Sequence, residues 1–171
     1  MKRFNILKAL FVVLAITCFM AAGDSFAAGA KSPTLKIDNN TAGMTKAVAK
    51  VYKKLKAQKK KLPEGTPWTN DDCYSFNGGL FGNGYGCSAF AFQMSDIAFG
   101  SKKARMHKNF NKIRVGDIVR LEDNTHSVIV LKVVGNQLLV AEGNYNGTIH
   151  WGRIISRSEV KDTGTYVMTR Y

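Results

Sequence analysis

Gly84-Tyr85-Gly86-Cys87-Ser88-Ala89-Phe90-Ala91-Phe92 sets the frame for the chain. A glycine-rich loop runs into a cysteine, and the cysteine opens a helix. Phe90, Ala91, Met94, Ile97 and Ala98 recur at helical spacing, so the helix is expected to be amphipathic, with one face in the core. Cys87 falls in the first turn. There the unpaired N–H groups and the positive end of the helix dipole stabilise a thiolate. The glycines upstream, from Gly78 to Gly86, allow a substrate backbone to come close. A buried structural cysteine at a helix start is the competing reading, since free cysteine is among the most buried residue types.

Downstream of this helix, Gly100 to Lys112 reads as basic and irregular, with His107 at the surface. The rest reads as β: strands at Asp117–Leu121, His126–Val134, Gln137–Glu142, Thr148–Ser156 and Tyr166–Tyr171, with turns at Glu122–Thr125 and Val134–Asn136. The second of these is apolar on both faces, hence central. Helices first and an antiparallel meander after them indicate an α+β fold.

The meander offers partners to Cys87. His126 opens the central strand just after a turn, where a side chain reaches the rim of a sheet. Histidine is the side chain best matched to proton transfer near neutral pH. Leu138, Val140 and Glu142 share one face of the next strand, so Glu142 points where core residues point and needs a partner. The two strands form a hairpin, which sets the start of one beside the end of the other. Nucleophile, base and orienting group thus come in workable order, with Asn144 just beyond Glu142. The plain alternatives are a polar histidine at a strand edge and an ordinary turn at Glu142–Gly147. Three histidines without close spacing and no tight carboxylate cluster predict neither a metal nor a cofactor.

Upstream, Lys2, Arg3 and Lys8 precede an apolar run, Ala9–Ala22, too short for a comfortable membrane span. Ser25-Phe26-Ala27 and Ala28-Gly29-Ala30 offer cleavage sites, so residues 1–30 read as a signal peptide. Lipidation at Cys18 is disfavoured by Thr17 before it and by apolar residues after it. Cleavage leaves about 141 to 144 of the 171 residues, and removing Lys2, Arg3, Lys8 and Asp24 takes the formal charge from +13 to +11. A secreted or cell-envelope chain this basic is expected to meet anionic wall polymers. Nucleic acid is not expected, because no binding motif for it is visible and export argues against it. No oligomeric state is legible.

Residues 31–65 read as a loose polar linker (31–40) and a basic helix, Thr41 to about Lys61, striped by Val48, Val51, Tyr52 and Leu55. Its Lys56, Lys59, Lys60 and Lys61 form either a solvated face or a polymer contact. Pro67 to Gly86 is a turn-rich loop whose aromatics suit a groove wall or a satellite cluster. Cleavage also leaves two cysteines, and in an exported chain a Cys73–Cys87 disulfide is the main rival to a catalytic Cys87. Asp71 and Asp72 disfavour a thiolate at Cys73, so a nucleophile, if there is one, is Cys87.

From Trp68 to Tyr171 the chain resembles the NlpC/P60 and CHAP superfamily of papain-like cell-wall cysteine hydrolases. The resemblance rests on Tyr74-Ser75-Phe76-Asn77-Gly78-Gly79, Cys87-Ser88-Ala89-Phe90, Val115-Gly116-Asp117-Ile118-Val119 and Glu142-Gly143-Asn144-Tyr145-Asn146-Gly147. It implies a papain-like catalytic domain over 66–171, with N-terminal helices packed on the meander. It also implies Cys87 as nucleophile, His126 as base, Glu142 as its orienting group, Asn144 as helper and Tyr74 beside the oxyanion. Gly86 stands where NlpC-type relatives have an aspartate before the cysteine, and Glu142 stands where they often have histidine. The implied activity is cleavage of peptidoglycan amide bonds, as endopeptidase or amidase, or transfer to an amine. The alternative is a non-catalytic basic wall-binding protein closed by a Cys73–Cys87 disulfide.

Overall fold

The meander is the scaffold that places the site. The computed structural model describes residues 34–171; the leader expected at 1–30 lies outside the described residues. Strands β1 (Cys73–Ser75) and β2 (Asn83–Tyr85) form a small hairpin. A six-stranded antiparallel sheet follows: β3 (Arg105–His107), β4 (Ile118–Leu121), β5 (His126–Val134), β6 (Gln137–Tyr145), β7 (Thr148–Ser156) and β8 (Tyr166–Thr169). Its spatial order is β3-β8-β4-β5-β6-β7, so β5 is interior, as its two-sided hydrophobicity requires. The architecture is α+β. The segment read as irregular holds β3, because it gains ladder partners from β8.

The basic helix forms α1, Lys46–Ala57, capped by Thr45 and continued by a 3-10 turn to Lys60. Val51, Tyr52 and Leu55 are buried in one cluster with Phe90 and Met94, so this helix shares the core of the segments that follow it. Helix α2, Cys87–Phe99, packs across β5 and β6. The expected amphipathic stripe is not what forms. Ala89 and Phe92 are buried as well as Phe90 and Met94, and so are Ser95 and Asp96. A helix apolar nearly all round is a central helix. Its polar Asp96 is admitted because Arg170, only 1% exposed, pairs with it and also donates to the Gly100 and Lys102 carbonyls.

The described part of the expected linker is docked. Leu35 N–H donates to the Gly152 carbonyl at 2.9 Å, Ile37 is buried, and Asp38 pairs with Lys132 at 2.5 Å. Gly152, at φ +102°, allows this approach: a Cβ there would stand 2.5 Å from the Leu35 oxygen. The opposite face of the sheet carries a second cluster, including Val128, Val130, Leu138, Val140 and Ile155. Val160 of α3 (Arg157–Thr163) joins it. The sequence pattern did not signal α3, a helix of seven residues.

Candidate active site

Cys87 sits where the sequence places it, in the first turn of α2 and 8% exposed. The residue before it must be glycine. Gly86 has φ +52°, and a Cβ on it would lie 2.5 Å from the Asn70 side-chain oxygen. Trp68 fixes the same turn: its indole N–H donates to the Gly86 carbonyl at 2.8 Å, and its ring meets Phe90 edge-on.

His126 begins β5, and Glu142 lies near the end of β6 on the face continued from Leu138 and Val140. Their hairpin brings His126 Nε2 to 2.7 Å from Glu142 Oε2. With Nε2 committed to the carboxylate, Nδ1 is the nitrogen left for the sulfur, and His126 is within hydrogen-bonding reach of Cys87. Glu142 is fully buried. Arg153 of β7 braces it with two bonds, Nε to Oε1 and Nη2 to Oε2, both 2.8 Å. Cys87, His126, Glu142 and Arg153 therefore form one line from the helix start into the sheet.

The electrostatics follow from that line. Burial pushes the Cys87 thiol up. The His126 hydrogen bond and charge, the Ser127 N–H and the Arg120 charge outweigh it and bring the thiol down to about 7. Burial depresses His126, but its bonds to Cys87 and Glu142, with their charges, raise it to about 9. Burial raises Glu142, yet His126 and Arg153 hold it below the usual carboxylate value. The net state favours a thiolate–imidazolium pair backed by an ionised carboxylate.

Asn144, at φ +56°, stands near Gly86 and donates to the Asn70 side-chain oxygen at 2.7 Å. It flanks Gly86, the residue before the cysteine. Tyr74 is not brought to the site. Its phenol lies under the influence of Asp96, nine residues along α2 from Cys87, about 13.5 Å at 1.5 Å per residue. Burial and Asp96 also raise the Tyr74 phenol above its ordinary value. The oxyanion role implied for Tyr74 is therefore unsupported here. His150 bonds Glu64 at 2.6 Å and stacks on Tyr145.

The expected rival disulfide is absent: Cys73 and Cys87 are both free, Cys73 exposed on β1 and Cys87 buried. The strand accounts for this. Tyr74 faces α2, so its neighbour Cys73 faces outward. Among the described residues, no three His, Cys, Asp or Glu side chains are grouped to hold a metal ion.

Sequence reasoning missed Arg153, Asn70 and Arg120. Arg120 of β4 lies on the other side of the sulfur, Nη1 at 3.7 Å from Cys87 Sγ. No family model and no curated protein matches this chain. Two solved structures are similar to it at 18% identity, over 72% of this chain and 62% of theirs. They are described as "The crystal structure of Ly7917" and "The crystal structure of Ly7917 with the hydrolyzing product of MDP", with TM-scores of 0.45 and 0.46. The present chain thus spans 62% of the length of those proteins.

Proposed function

We propose that the protein is a papain-like cysteine hydrolase of the NlpC/P60 and CHAP type, exported and acting on peptidoglycan amide bonds. One observation carries the reading: a thiol brought to about 7 at a helix start, beside a histidine whose far nitrogen is 2.7 Å from a buried, arginine-braced carboxylate. A structural cysteine has no use for that arrangement.

His126 takes the Cys87 proton, and the thiolate attacks the amide carbonyl. The first-turn N–H groups of α2 receive the oxyanion. His126 returns its proton to the leaving amine as the C–N bond breaks, which leaves a thioester on Cys87. Water, deprotonated by His126, then releases the acid and restores the thiol. Glu142 keeps the ring oriented and its charge stabilised through both steps. The wall as substrate is supported by the sequence resemblance, the leader pattern and the formal charge of +11 expected after its removal.

The test is digestion of purified peptidoglycan, with new ends identified by mass spectrometry. New amine and carboxyl ends should appear with the parent protein and with Cys73→Ala, and should be absent with a folded Cys87→Ala. No new ends from the parent, or equal loss in both variants, would refute the reading.

A further inference from the structure

The basic segment between α2 and β4 has no part in the site described above. From Gly100 to Arg114 it holds six lysine and arginine residues and no aspartate or glutamate. Strand β3 fixes which way some of them face. Arg105 pairs with Thr169 and His107 with Val167, whereas Met106 pairs with Met168. Directly paired residues share a face of the sheet. Met168 belongs to the cluster that includes Phe90 and Met94 of α2, and Val167 to the cluster on the opposite face. Arg105 and His107 therefore lie on the face away from the cysteine-bearing helix. β3 is also three strands from β5, about 14 Å at the usual strand spacing.

A cavity of about 490 Å³ opens there, lined by Arg105, His107, Asn111, Lys112, Arg114 and Thr169. His107 and Asn111 also line a second cavity, which continues the first toward Lys108 and Lys161. The donors are held in place. Arg114 Nη2 donates to Thr169 Oγ1 at 2.8 Å, and its guanidinium lies 4.0 Å over the Tyr171 ring. Arg105 Nη2 donates to the Tyr171 backbone oxygen. His107 Nδ1 accepts the Asn109 N–H at 3.2 Å, which leaves Nε2 to carry the proton of the neutral ring. Burial, then Arg114, Lys112 and Arg105, hold His107 below its ordinary value, so three cations converge on it. Among the described residues, no carboxylate lies within ion-pair distance of Lys108, Lys112 or Arg114. Asp117 accepts the Arg114 backbone N–H at 2.8 Å, not its guanidinium.

We infer that this track is a binding site for a phosphodiester polymer, seating one phosphate between Lys112, Arg114 and His107 and the next toward Lys108 and Lys161. Donors reach it from three places in the chain: β3, the 3-10 turn Phe110–Lys112 and the loop before β4. A planar carboxylate is matched by one in-plane fork, whereas a phosphate spreads its acceptor oxygens and takes donors from several directions. A chain of such anions is matched by cations along the whole track. Nucleic acid fits less well, because bases need aromatic faces to stack on. The Tyr171 ring is covered by Arg114, Phe110 packs against the second cluster, and the apolar lining of the first cavity is Met106 and Ile113. On the far face of the sheet, a polymer held here leaves the cleft at Cys87 open. The site stands independently of the amide-hydrolase reading.

The test is titration calorimetry with soluble poly(glycerol phosphate) at low salt. Lys112→Gln/Arg114→Gln should weaken binding about tenfold, as expected for lost charge-assisted hydrogen bonds, and should flatten its dependence on salt. Arg114 also packs on Tyr171, so Lys112→Gln alone guards against a misfolded double variant; it should cost about threefold. Lys46→Gln/Lys50→Gln removes the same two charges from exposed positions on α1 and should leave the affinity within about twofold, since screening limits distant charges. The iodoacetamide rate at Cys87, in the Cys73→Ala background, should be the same in all of these, whether or not any amide is cleaved. A fall in that rate matching the loss of affinity in Lys112→Gln/Arg114→Gln would mark a general distortion and overturn the site. No binding by the parent, equal losses in the two double variants, or an unchanged affinity in folded Lys112→Gln/Arg114→Gln would also overturn it. So would polyglutamate or single-stranded DNA of matched charge binding as tightly as poly(glycerol phosphate).

Discussion

Replacing Glu142 with glutamine separates charge from shape at the centre of the site. Glutamine keeps a hydrogen-bonding oxygen near His126 but removes the charge that, with the Glu142 hydrogen bond, helps raise that histidine to about 9. The imidazolium then loses its backing, so Cys87 keeps only a weakened His126 interaction beside the Ser127 N–H and Arg120 against burial. The thiol should rise from about 7 by roughly one to two pH units, each worth about 1.4 kcal/mol. At pH 7 the thiolate fraction should drop from about one half to between about a tenth and a hundredth, and turnover with it. Activity should fall less than in His126→Ala, where the base itself is gone. Arg153 is the complication. Its guanidinium, 5% exposed, would face a neutral amide and keep only the Glu159 carboxylate at 3.9 Å, at a cost of up to about 3–5 kcal/mol. The double variant Glu142→Gln/Arg153→Met should therefore recover thermal stability without recovering the pH profile. The assay is the iodoacetamide rate at Cys87 against pH, in the Cys73→Ala background. His150→Ala, which disturbs only the contacts with Glu64 and Tyr145, should leave the profile in place. An unshifted profile for folded Glu142→Gln beside a shifted one for His150→Ala would refute the assignment.

Two further outcomes are expected. Replacing Lys56, Lys59, Lys60 and Lys61 with glutamine should weaken retention on purified walls more than turnover of a small soluble amide. The parent's retention should decline as ionic strength passes about 0.1 M; unchanged retention in the variant would remove this face from wall binding. Asp117 is fully buried with its Oδ1 unpartnered, and burial raises it from 3.8 to about 6 despite bonds from Thr169 and the Arg114 N–H. Its folded value lies above its unfolded one, so its contribution to stability is complete below about pH 4 and is lost as pH rises through about 6, about 3 kcal/mol in all. Asp117→Asn should thus gain Tm relative to the parent between pH 4 and 8, and a constant difference across that range would contradict the assignment.

Much of the site was legible because its signals are local. A glycine before a cysteine and apolar spacing after it mark the helix start, and alternation along one hairpin brings His126 to Glu142. Arg153 was hidden by the irregular β6–β7 register, which shifts between Val140 and Ala141 and so defeats simple counting along the strand. Arg120 reads in sequence as a polar residue in an alternating strand, and only the packing of α2 against β4 sets it beside the sulfur. Tyr74 was misplaced for the opposite reason. Its motif is local, but its partner Asp96 lies two and a half turns down the helix and is buried only because Arg170 arrives from far along the chain. That same long-range pair turned a helix expected to be amphipathic into a central one.

The place of β8 between β3 and β4 has a kinetic consequence. The four strands from β4 to β7 join by hairpins, whose short loops close cheaply, so the half-site on β5 and β6 assembles from neighbours in sequence. β8 must instead slot between two strands made much earlier, and only then can Arg170 reach Asp96. Before that step, β3 and β4 present unpaired edges and the cysteine-bearing helix lacks its far anchor. The nucleophile thus acquires its final alignment late in folding, and the open slot is where a partly folded chain is most exposed to pairing with another copy of itself.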